Sequence, residues 1–311
     1  MRYIADLKED ERVTEHYFCK QKQSLKSRAG KTYLSLKLQD KTGVIDAKVW
    51  DLTNEIQSFE EHDYIKINGI ALTYQNEIQL KINRVRKSEP NEIDPLDYVP
   101  STDKNIDALY DAIVEYIRSI EDPFIREMME LILVEDKTAA EAFKRRSAAK
   151  SLHHGYMGGL IEHTLNVTQI CDFMSGRYKF VNRDILIAGA ILHDIGKIYE
   201  LSDFPENDYT DDGQLMGHLI IGADIIEKTA NRIEGFPNDV KTLLRHCVLA
   251  HHGEYEYGSP KLPKTIEAFI LYCCDNADAK IKMFEETIEN DRSQGVWSQY
   301  HRMLERNIRK P

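Results

Sequence analysis

The chain has 311 residues, a formal net charge of −11 and 42% hydrophobic residues, enough for two or more domains with sizeable cores. It holds no run of about eighteen apolar residues, and its first residues lack the apolar core of a signal peptide, so we expect a cytoplasmic protein without a membrane segment. The five cysteines form no CxxC pair, and two are neighbours, so the sequence indicates neither a disulfide framework nor a zinc ribbon.

The charge is unevenly distributed along the chain. Residues 1–87 carry a net charge of +3, whereas the remainder carries −14. Within residues 17–48, eight basic residues stand against two acidic ones. Phosphate attraction is local, because salt screens it over about 10 Å. The basic N-terminal region is therefore compatible with a nucleic-acid partner, although the net charge of the whole chain is negative.

Residues 12–87 have the hydrophobic pattern of β-strands. Apolar residues alternate with polar or aromatic ones along 33–39 and again along 45–50, with a turn between them. Strands, turn signals and the lack of a long helix predict a small closed all-β barrel over residues 1–87. The stretch 30–50, GKTYLSLKLQDKTGVIDAKVW, resembles the OB-fold nucleic-acid-binding family.

One face of the predicted barrel combines aromatic and basic side chains. If the apolar residues of these strands point inward, an outward-facing set remains. This set is Tyr33, Lys37, Lys48 and Trp50, with Arg28 and Lys31 on the preceding loop. Aromatic rings stack on bases and lysines meet phosphates, as sequence-tolerant binding of single-stranded RNA or DNA requires. The alternative is a solvated basic face, with Trp50 packed under a loop or against the second domain.

Residues 88–102 contain three prolines and four acidic residues, which is typical of a linker. Beyond it the hydrophobic period becomes helical, and we predict an all-α bundle over 103–311. We expect a first helix capped by Asp103, a second that begins at Asp122 before a proline, and a third over 138–150.

The C-terminal part of this region is predicted to be helical as well. A long helix is expected over 264–289. For residues 291–311, with Trp297 and Tyr300, we favour a helix packed on its own domain. A contact between copies in a homo-oligomer is the alternative.

The helical region is organised around residues 188–197, AGAILHDIGK. His193 and Asp194 lie side by side in a run whose apolar residues recur at helical spacing. Buried polar groups need partners, and a metal ion can serve an imidazole and a carboxylate together. For the dipeptide alone, a hydrogen-bonded core histidine is the commoner outcome. For Lys197 in the same run, the alternative interpretation is an ordinary lysine near a helix C-terminus, where its charge opposes the helix dipole.

Further candidate ligands stand on both sides of this run. They are His163, His218, His251, His252 and Asp275. Imidazole nitrogens with carboxylate oxygens suit a divalent ion such as Mn, Fe, Co, Ni or Zn. The order His…His-Asp…His…His-His…Asp resembles the HD-domain metal-dependent phosphohydrolase superfamily. By this resemblance Asp275 matches a ligand and Lys197 lies near the substrate phosphate, whereas Asp278 is interpreted as structural. Whether His251, His252 or both bind metal stays open.

A barrel of this type, a linker and a helical HD domain in one chain of this length resemble the YhaM family of 3′→5′ exoribonucleases. The resemblance implies a manganese-stimulated phosphodiesterase that shortens single-stranded RNA, and single-stranded DNA, from the 3′ end and releases nucleoside 5′-monophosphates. It implies one or two ions per chain. Under this hypothesis one ion is held by His163, His193, Asp194 and Asp275, and a second by His218 and His251 or His252. Asp194 would bridge the two ions, and Lys197 would offset phosphate charge.

Two other functions stay open from the sequence. The first is an HD-domain nucleotidase or cyclic-dinucleotide phosphodiesterase, in which the barrel serves regulation or oligomer contacts. The second is a nucleic-acid-binding factor with a vestigial metal site. Hydrolysis of free nucleotides alone would favour the first, and a metal content near zero would favour the second.

Overall fold

The structure is a computed structural model, which describes residues 1–27, 29–74, 77–149, 155–291 and 293–311. It comprises two compact units. The first contains Met1–Ser101 and Phe204–Glu206, and the second contains Thr102–Asp203 and Asn207–Pro311. None of the helices in these ranges combines the length and apolarity needed to span a lipid bilayer.

The first unit is a closed five-stranded barrel, which confirms the predicted OB-like fold. Its strands are β1 Arg12–Lys26, β2 Thr32–Asp40, β3 Gly43–Val49, β4 Tyr64–Tyr74 and β5 Glu77–Lys87, paired in the order β1-β2-β3-β5-β4 with β1 closing onto β4. All neighbours are antiparallel except β3 and β5. β1 is long because residues 12–18 pair with β4 and residues 18–26 pair with β2.

The alternating pattern of β2 and β3 places their apolar side chains in the barrel core. Leu34 pairs with Val49, and Leu36 pairs with Ala47 across the two strands. All four side chains are buried. Because successive residues of a strand point to opposite faces, the polar and aromatic residues between them face outward. The register therefore fixes the composition of the outer face.

The second unit is helical, as predicted. Its helices are α1 Ile106–Arg118, α2 Pro123–Glu130, α3 Lys137–Arg145, α4 Gly159–Ser175, α5 Arg183–Leu192, α6 Lys197–Glu200, α7 Asp211–Leu215, α8 Gly217–Ala230, α9 Asn238–Ala250 and α10 Ile266–Asn290. Between the strands and α1, short 3₁₀ turns form at Pro90–Glu92 and Pro95–Tyr98. α5 lies at the centre, and every side chain from Ile185 to Leu192 is buried. Its sequence is apolar all round for that reason.

The first three helices begin at residues whose side chains cap the N-terminus, but two of the predicted boundaries need correction. Asp122 caps α2 as predicted, accepting hydrogen bonds from two backbone N–H groups. The prediction for α1 is wrong by two residues, because Asn105 and not Asp103 accepts from the N–H of Ala108. The third helix is shorter than predicted: Asp136 caps its start, and it ends at Arg145.

The C-terminal segment is a β-hairpin, so the predicted helix over 291–311 is wrong. The strands are β6 Trp297–His301 and β7 Arg306–Arg309. Leu304 and Ile308 are buried, whereas the aromatic rings of Trp297 and Tyr300 remain more than half exposed. The spacing of the large residues suited a helix by chance, but the aromatic residues also favour strands.

Candidate metal centre

The seven candidate metal ligands come together in the helical unit. They stand at helix ends or in the middle of α10, where buried neighbours fix them. His163 lies near the start of α4, His193 and Asp194 directly follow α5, His218 lies at the start of α8, His251 and His252 directly follow α9, and Asp275 lies within α10. Five helices therefore contribute to a single site.

Three of the five imidazoles are oriented by backbone carbonyls. Nδ1 of His193 and Nδ1 of His251 each donate to the carbonyl three residues earlier, at 2.7 Å. Nδ1 of His252 donates to the carbonyl of Tyr257 at 2.9 Å. Since a carbonyl oxygen can only accept, these contacts place the proton on Nδ1. Nε2 is left as a lone-pair donor toward the site.

The other two imidazoles are oriented by carboxylates. Nδ1 of His163 donates to Oδ2 of Asp278 at 2.7 Å, and Asn166 donates to the other oxygen of Asp278 at 3.0 Å. Nδ1 of His218 donates to Oε1 of Glu200 at 3.0 Å. Sequence analysis missed Glu200. Residues three apart share one face of a helix, so its position after Lys197 was a signal, but that spacing alone does not identify His218 as the partner.

The carboxylate of Asp194 lies between two groups of imidazoles. Oδ1 is 3.4 Å from Nε2 of His218 and 3.6 Å from Nε2 of His251. Oδ2 is 3.4 Å from Nε2 of His193 and 3.8 Å from Nε2 of His163. A single carboxylate thus faces ligand atoms on both sides.

Three sets of potential ligand atoms have mutual distances within 4.8 Å. The sets are His163, His193 and Asp275; His193, Asp194 and His251; and His218, His251 and His252. Oδ1 of Asp275 lies 3.1 Å from Nε2 of His163. Both members of the His251–His252 pair therefore occur in a set that could hold an ion.

The donor chemistry fits a divalent cation. Oδ1 of Asp194 and Nε2 of His218 are buried and have no hydrogen-bond partner within the described part of the chain. Such groups are costly to bury unpaired. These two atoms lie 3.4 Å apart and each presents a lone pair, so a cation between them would satisfy both. Imidazoles and carboxylates together suit a first-row divalent metal.

Lys197 forms an ion pair with Asp194 at this site. Its Nζ lies 2.6 Å from Oδ2 of Asp194. Burial lowers the pKa of Lys197, but the nearby Asp194 carboxylate has the larger effect, and the net result is a raised pKa. Burial likewise opposes the carboxylate, yet Lys197 and then His193 hold the pKa of Asp194 well below its usual value. Lys197 begins α6, a helix of a single turn, so it lies in the last turn of that helix and also pairs with Asp194.

The two sides of the site differ in their electrostatics. Burial disfavours a charged His163, but hydrogen bonds to Asp275 and Asp278 overcome this and raise the pKa of His163 to about 10. Burial and the neighbouring His252 lower the pKa of His251 well below its usual value. Burial, followed by His218, also lowers the pKa of His252. The His163 side is therefore rich in negative charge, and the His251 side holds neutral imidazoles.

A cavity of about 620 Å³ opens beside the ligands. This volume lies within the range of about 300–1,000 Å³ that is common for small-molecule sites. Beyond the ligands and Lys197, its wall includes Tyr209, Tyr257, Tyr272, Asn276 and Met303. Tyr257 is 60% exposed, so its ring is available to a ligand. Sequence analysis missed these wall residues.

On the outer face of the barrel, Tyr33 and Trp50 form an aromatic stack. Their ring centroids are 4.6 Å apart, and the ring planes differ by 23°. Trp50 remains 40% exposed, which leaves ring surface for a further stacking partner. Its exposure does not fit the alternative of a tryptophan buried under a loop.

The lysines of this face lie on the same two strands and the loop before them. Nζ of Lys48 donates to Oγ of Ser35 at 2.5 Å, and Nζ of Lys37 lies 3.5 Å from a carboxylate oxygen of Asp46. Lys31 pairs with Asp51. These surface pairs are solvated and weak, so the ammonium groups stay available to phosphates. Arg28 lies outside the described residues.

Comparison with known proteins matches both units. A family model described as HD domain matches residues 160–280, and one described as OB-fold nucleic acid binding domain matches residues 18–87. The 3′-5′ exoribonuclease YhaM of Geobacillus sp. (strain WCH70) is 34% identical over 284 residues, which cover 91% of this chain and 86% of that protein. The solution structure of the second OB-fold domain of replication protein A from Methanococcus maripaludis is 17% identical, covers 28% of this chain and 94% of its own, and has a TM-score of 0.24.

Proposed function

The chain belongs to the YhaM family of 3′-5′ exoribonucleases, and from this premise we propose that it hydrolyses single-stranded RNA from the 3′ end and releases nucleoside 5′-monophosphates. The proposal rests on the position of Asp194: its two carboxylate oxygens face imidazoles on both sides of one buried site. The Tyr33–Trp50 stack and nearby lysines support binding of the upstream strand. Since stacking does not require a 2′-hydroxyl, we extend the proposal to single-stranded DNA.

The ligand set supports two divalent ions, and we propose Mn²⁺. One ion would be held by His163, His193, Asp194 and Asp275, and the other by His218, His251 and His252 with Asp194 shared. Bound divalent ions supply a water of lowered pKa and positive charge opposite the phosphate. If a single ion binds, we propose that it occupies the site formed by His163, His193, Asp194 and Asp275.

The protein's own groups prepare the site for phosphate chemistry. Lys197 keeps Asp194 ionised and places an ammonium beside the ligands, where it can donate to a non-bridging phosphate oxygen. The Nδ1 contacts hold the imidazoles in place, so no ligand has to reorient when substrate enters. The adjacent cavity supports binding of the terminal nucleotide. Water would add to the phosphorus of that nucleotide as the P–O3′ bond breaks, and the 3′-oxygen of the penultimate nucleotide would leave with a proton as a 3′-hydroxyl.

We retain three further proposals about the whole chain. Residues 1–87 form the nucleic-acid-binding domain, 88–102 the linker and 103–311 the catalytic domain. The protein acts in the cytoplasm, where unpaired thiols such as its five cysteines are the rule. Contacts between copies in a homo-oligomer remain a prediction.

The test combines a cleavage assay and metal analysis on one sample. Single-stranded RNA labelled at the 5′ end is incubated with Mn²⁺-loaded protein, and products are resolved by length. We expect a ladder that shortens from the 3′ end, 5′-monophosphate products and one or two ions per chain. An intact oligonucleotide alongside hydrolysis of free nucleotides would contradict the proposal and favour a small-molecule phosphohydrolase.

A further inference from the structure

Glu200 is buried beside the site without belonging to any of the ion-binding sets. It is only 8% exposed. Its Oε1 accepts from the backbone N–H of His218 at 2.9 Å and from Nδ1 of the same residue at 3.0 Å. A buried carboxylate is tolerated only when donors satisfy it. One oxygen therefore fixes both the backbone and the ring of His218.

The helix that carries Glu200 also carries Lys197. α6 is one turn long, with Lys197 as its first residue and Glu200 as its last. At this spacing the two side chains extend from one side of the turn. Lys197 contacts Oδ2 of Asp194, and Glu200 contacts His218. The turn thus holds both Asp194 and His218, whose facing atoms, Oδ1 and Nε2, are two of the buried atoms that have no hydrogen-bond partner among the described residues.

The backbone around α6 leaves little room for adjustment. A Cβ atom on Gly196 would lie 2.1 Å from the carbonyl oxygen of His218. A Cβ atom on Gly213 would lie 2.2 Å from the carbonyl oxygen of Glu200. These two close backbone contacts therefore hold the ends of α6 against the backbones of His218 and Gly213.

We infer that Glu200 is a positioning residue for the ion held by His218, His251 and His252. The inference rests on the proposed function. A carboxylate on Nδ1 fixes the ring and makes Nε2 a stronger donor to a metal, and loss of such a partner lowers metal affinity by about 10- to 100-fold. Asp278 has the same relation to His163, a ligand of the other ion. The two carboxylates therefore serve different ions.

The experiment is a Mn²⁺ titration of the full-length protein, followed by calorimetry and electron paramagnetic resonance. Glu200→Gln keeps the side-chain shape and removes the charge. We expect this variant to bind one ion as the wild type does and the second about 10- to 100-fold more weakly, without the signal of a coupled pair at low Mn²⁺. Asp278→Asn should weaken the other ion. Saturating Mn²⁺ should restore the RNA cleavage of Glu200→Gln to within a few-fold of wild type.

Controls separate this inference from the proposed function. Glu227→Gln changes a half-buried glutamate on α8, the helix of His218. Glu227 pairs with Lys241 and Arg245 rather than with a candidate ligand, so its substitution should leave both affinities unchanged. If Glu200→Gln does not fold, Glu200→Asp keeps the charge and shortens the reach, and the same loss is expected. Two ions bound by Glu200→Gln with wild-type affinity would overturn the inference alone, as would cleavage that stays low at saturating Mn²⁺. Wild-type protein that binds no Mn²⁺ would overturn the proposed function.

Discussion

A Cβ atom placed on Gly253 would lie 2.2 Å from the ring of Tyr272, and the backbone of Gly253 has a φ of +77°. Gly253 directly follows the His251–His252 pair, where the chain turns away from the site. Tyr272 lines the cavity from α10. The turn after the two histidines therefore depends on a residue without a side chain.

Gly253→Ala should destabilise the fold and displace the histidine pair. The positive φ costs about 1–2 kcal/mol for alanine, and the clash adds about 1–3 kcal/mol. Thermal unfolding and Mn²⁺ content measure the two effects. Gly258→Ala is the matched control, because Gly258 has a φ of +82° and nothing within 4 Å of its added Cβ. Equal loss of stability in both variants would show that contact with Tyr272 is unimportant.

Asp194→Asn should remove hydrolysis and leave RNA binding intact. The substitution removes the charge shared by both imidazole groups and leaves the ammonium of Lys197 unpaired. We expect turnover of 5′-labelled RNA to fall on the order of 10³-fold, while fluorescence anisotropy gives an unchanged Kd. The exposed Asp212→Asn serves as the control for loss of one acid. Turnover that survives in Asp194→Asn would refute the assignment of the site.

Ion loading should release a proton, and its affinity should rise with pH. The pKa of His163 is raised to about 10 by Asp275 and Asp278 against the effect of burial, so this imidazole is protonated in the ion-free protein at neutral pH. A metal ligand must be neutral, so binding displaces that proton. His251 has a lowered pKa and contributes no proton there.

The measurement is Mn²⁺ calorimetry between about pH 6.5 and 8.5, in buffers that differ in ionisation enthalpy. Below the raised pKa, affinity should increase about tenfold per pH unit for the His163 ion. Asp278→Asn should flatten this dependence, because it removes one of the two carboxylates that raise the pKa of His163. An affinity independent of pH, with no proton released, would contradict the prediction.

Trp50→Ala should weaken RNA binding without changing the chemical step. A base stacked on an aromatic ring contributes about 1–3 kcal/mol, which corresponds to about a 5- to 150-fold rise in Kd. KM should rise while kcat stays constant. Trp297→Ala is a matched control, since this other tryptophan is 56% exposed on the C-terminal hairpin. It also leaves Trp50 as the only tryptophan, so quenching of its fluorescence by RNA reports on the barrel face. Unchanged binding by Trp50→Ala would exclude this face.

The main architecture could be predicted because burial imposes a period on the sequence. Strict alternation from Leu34 to Leu38 predicted a strand with one buried face, and the barrel confirms it. Helical spacing before His193 predicted the helix that is now α5, but the predicted helix continued to Ile195 whereas α5 ends at Leu192. The chemistry of the ligands, imidazoles and carboxylates within apolar segments, was visible in the sequence because such groups need a reason to be buried there.

Other features could not be predicted because they depend on contacts distant in sequence. Glu200 belongs to a single helical turn, too short to show a period, and its role follows from a hydrogen bond to His218. The C-terminal hairpin lacks regular apolar alternation, since its buried apolar side chains are Leu304 and Ile308, its buried position on β6 is the polar Ser298, and the nearby aromatic rings stay exposed. The cap of α1 depended on which of two polar side chains reaches the N–H of Ala108.

The assembly of the site from five helices links cation supply to the survival of the protein. Its proposed ligands extend from residue 163 to residue 275, so the unfolded chain offers no comparable binding site. A cation at a hundred times its Kd then shifts the folding equilibrium by about 2.7 kcal/mol toward the native state. Starvation for that cation would reduce the cellular amount of this enzyme as well as its rate, because unfolded molecules are removed by proteases.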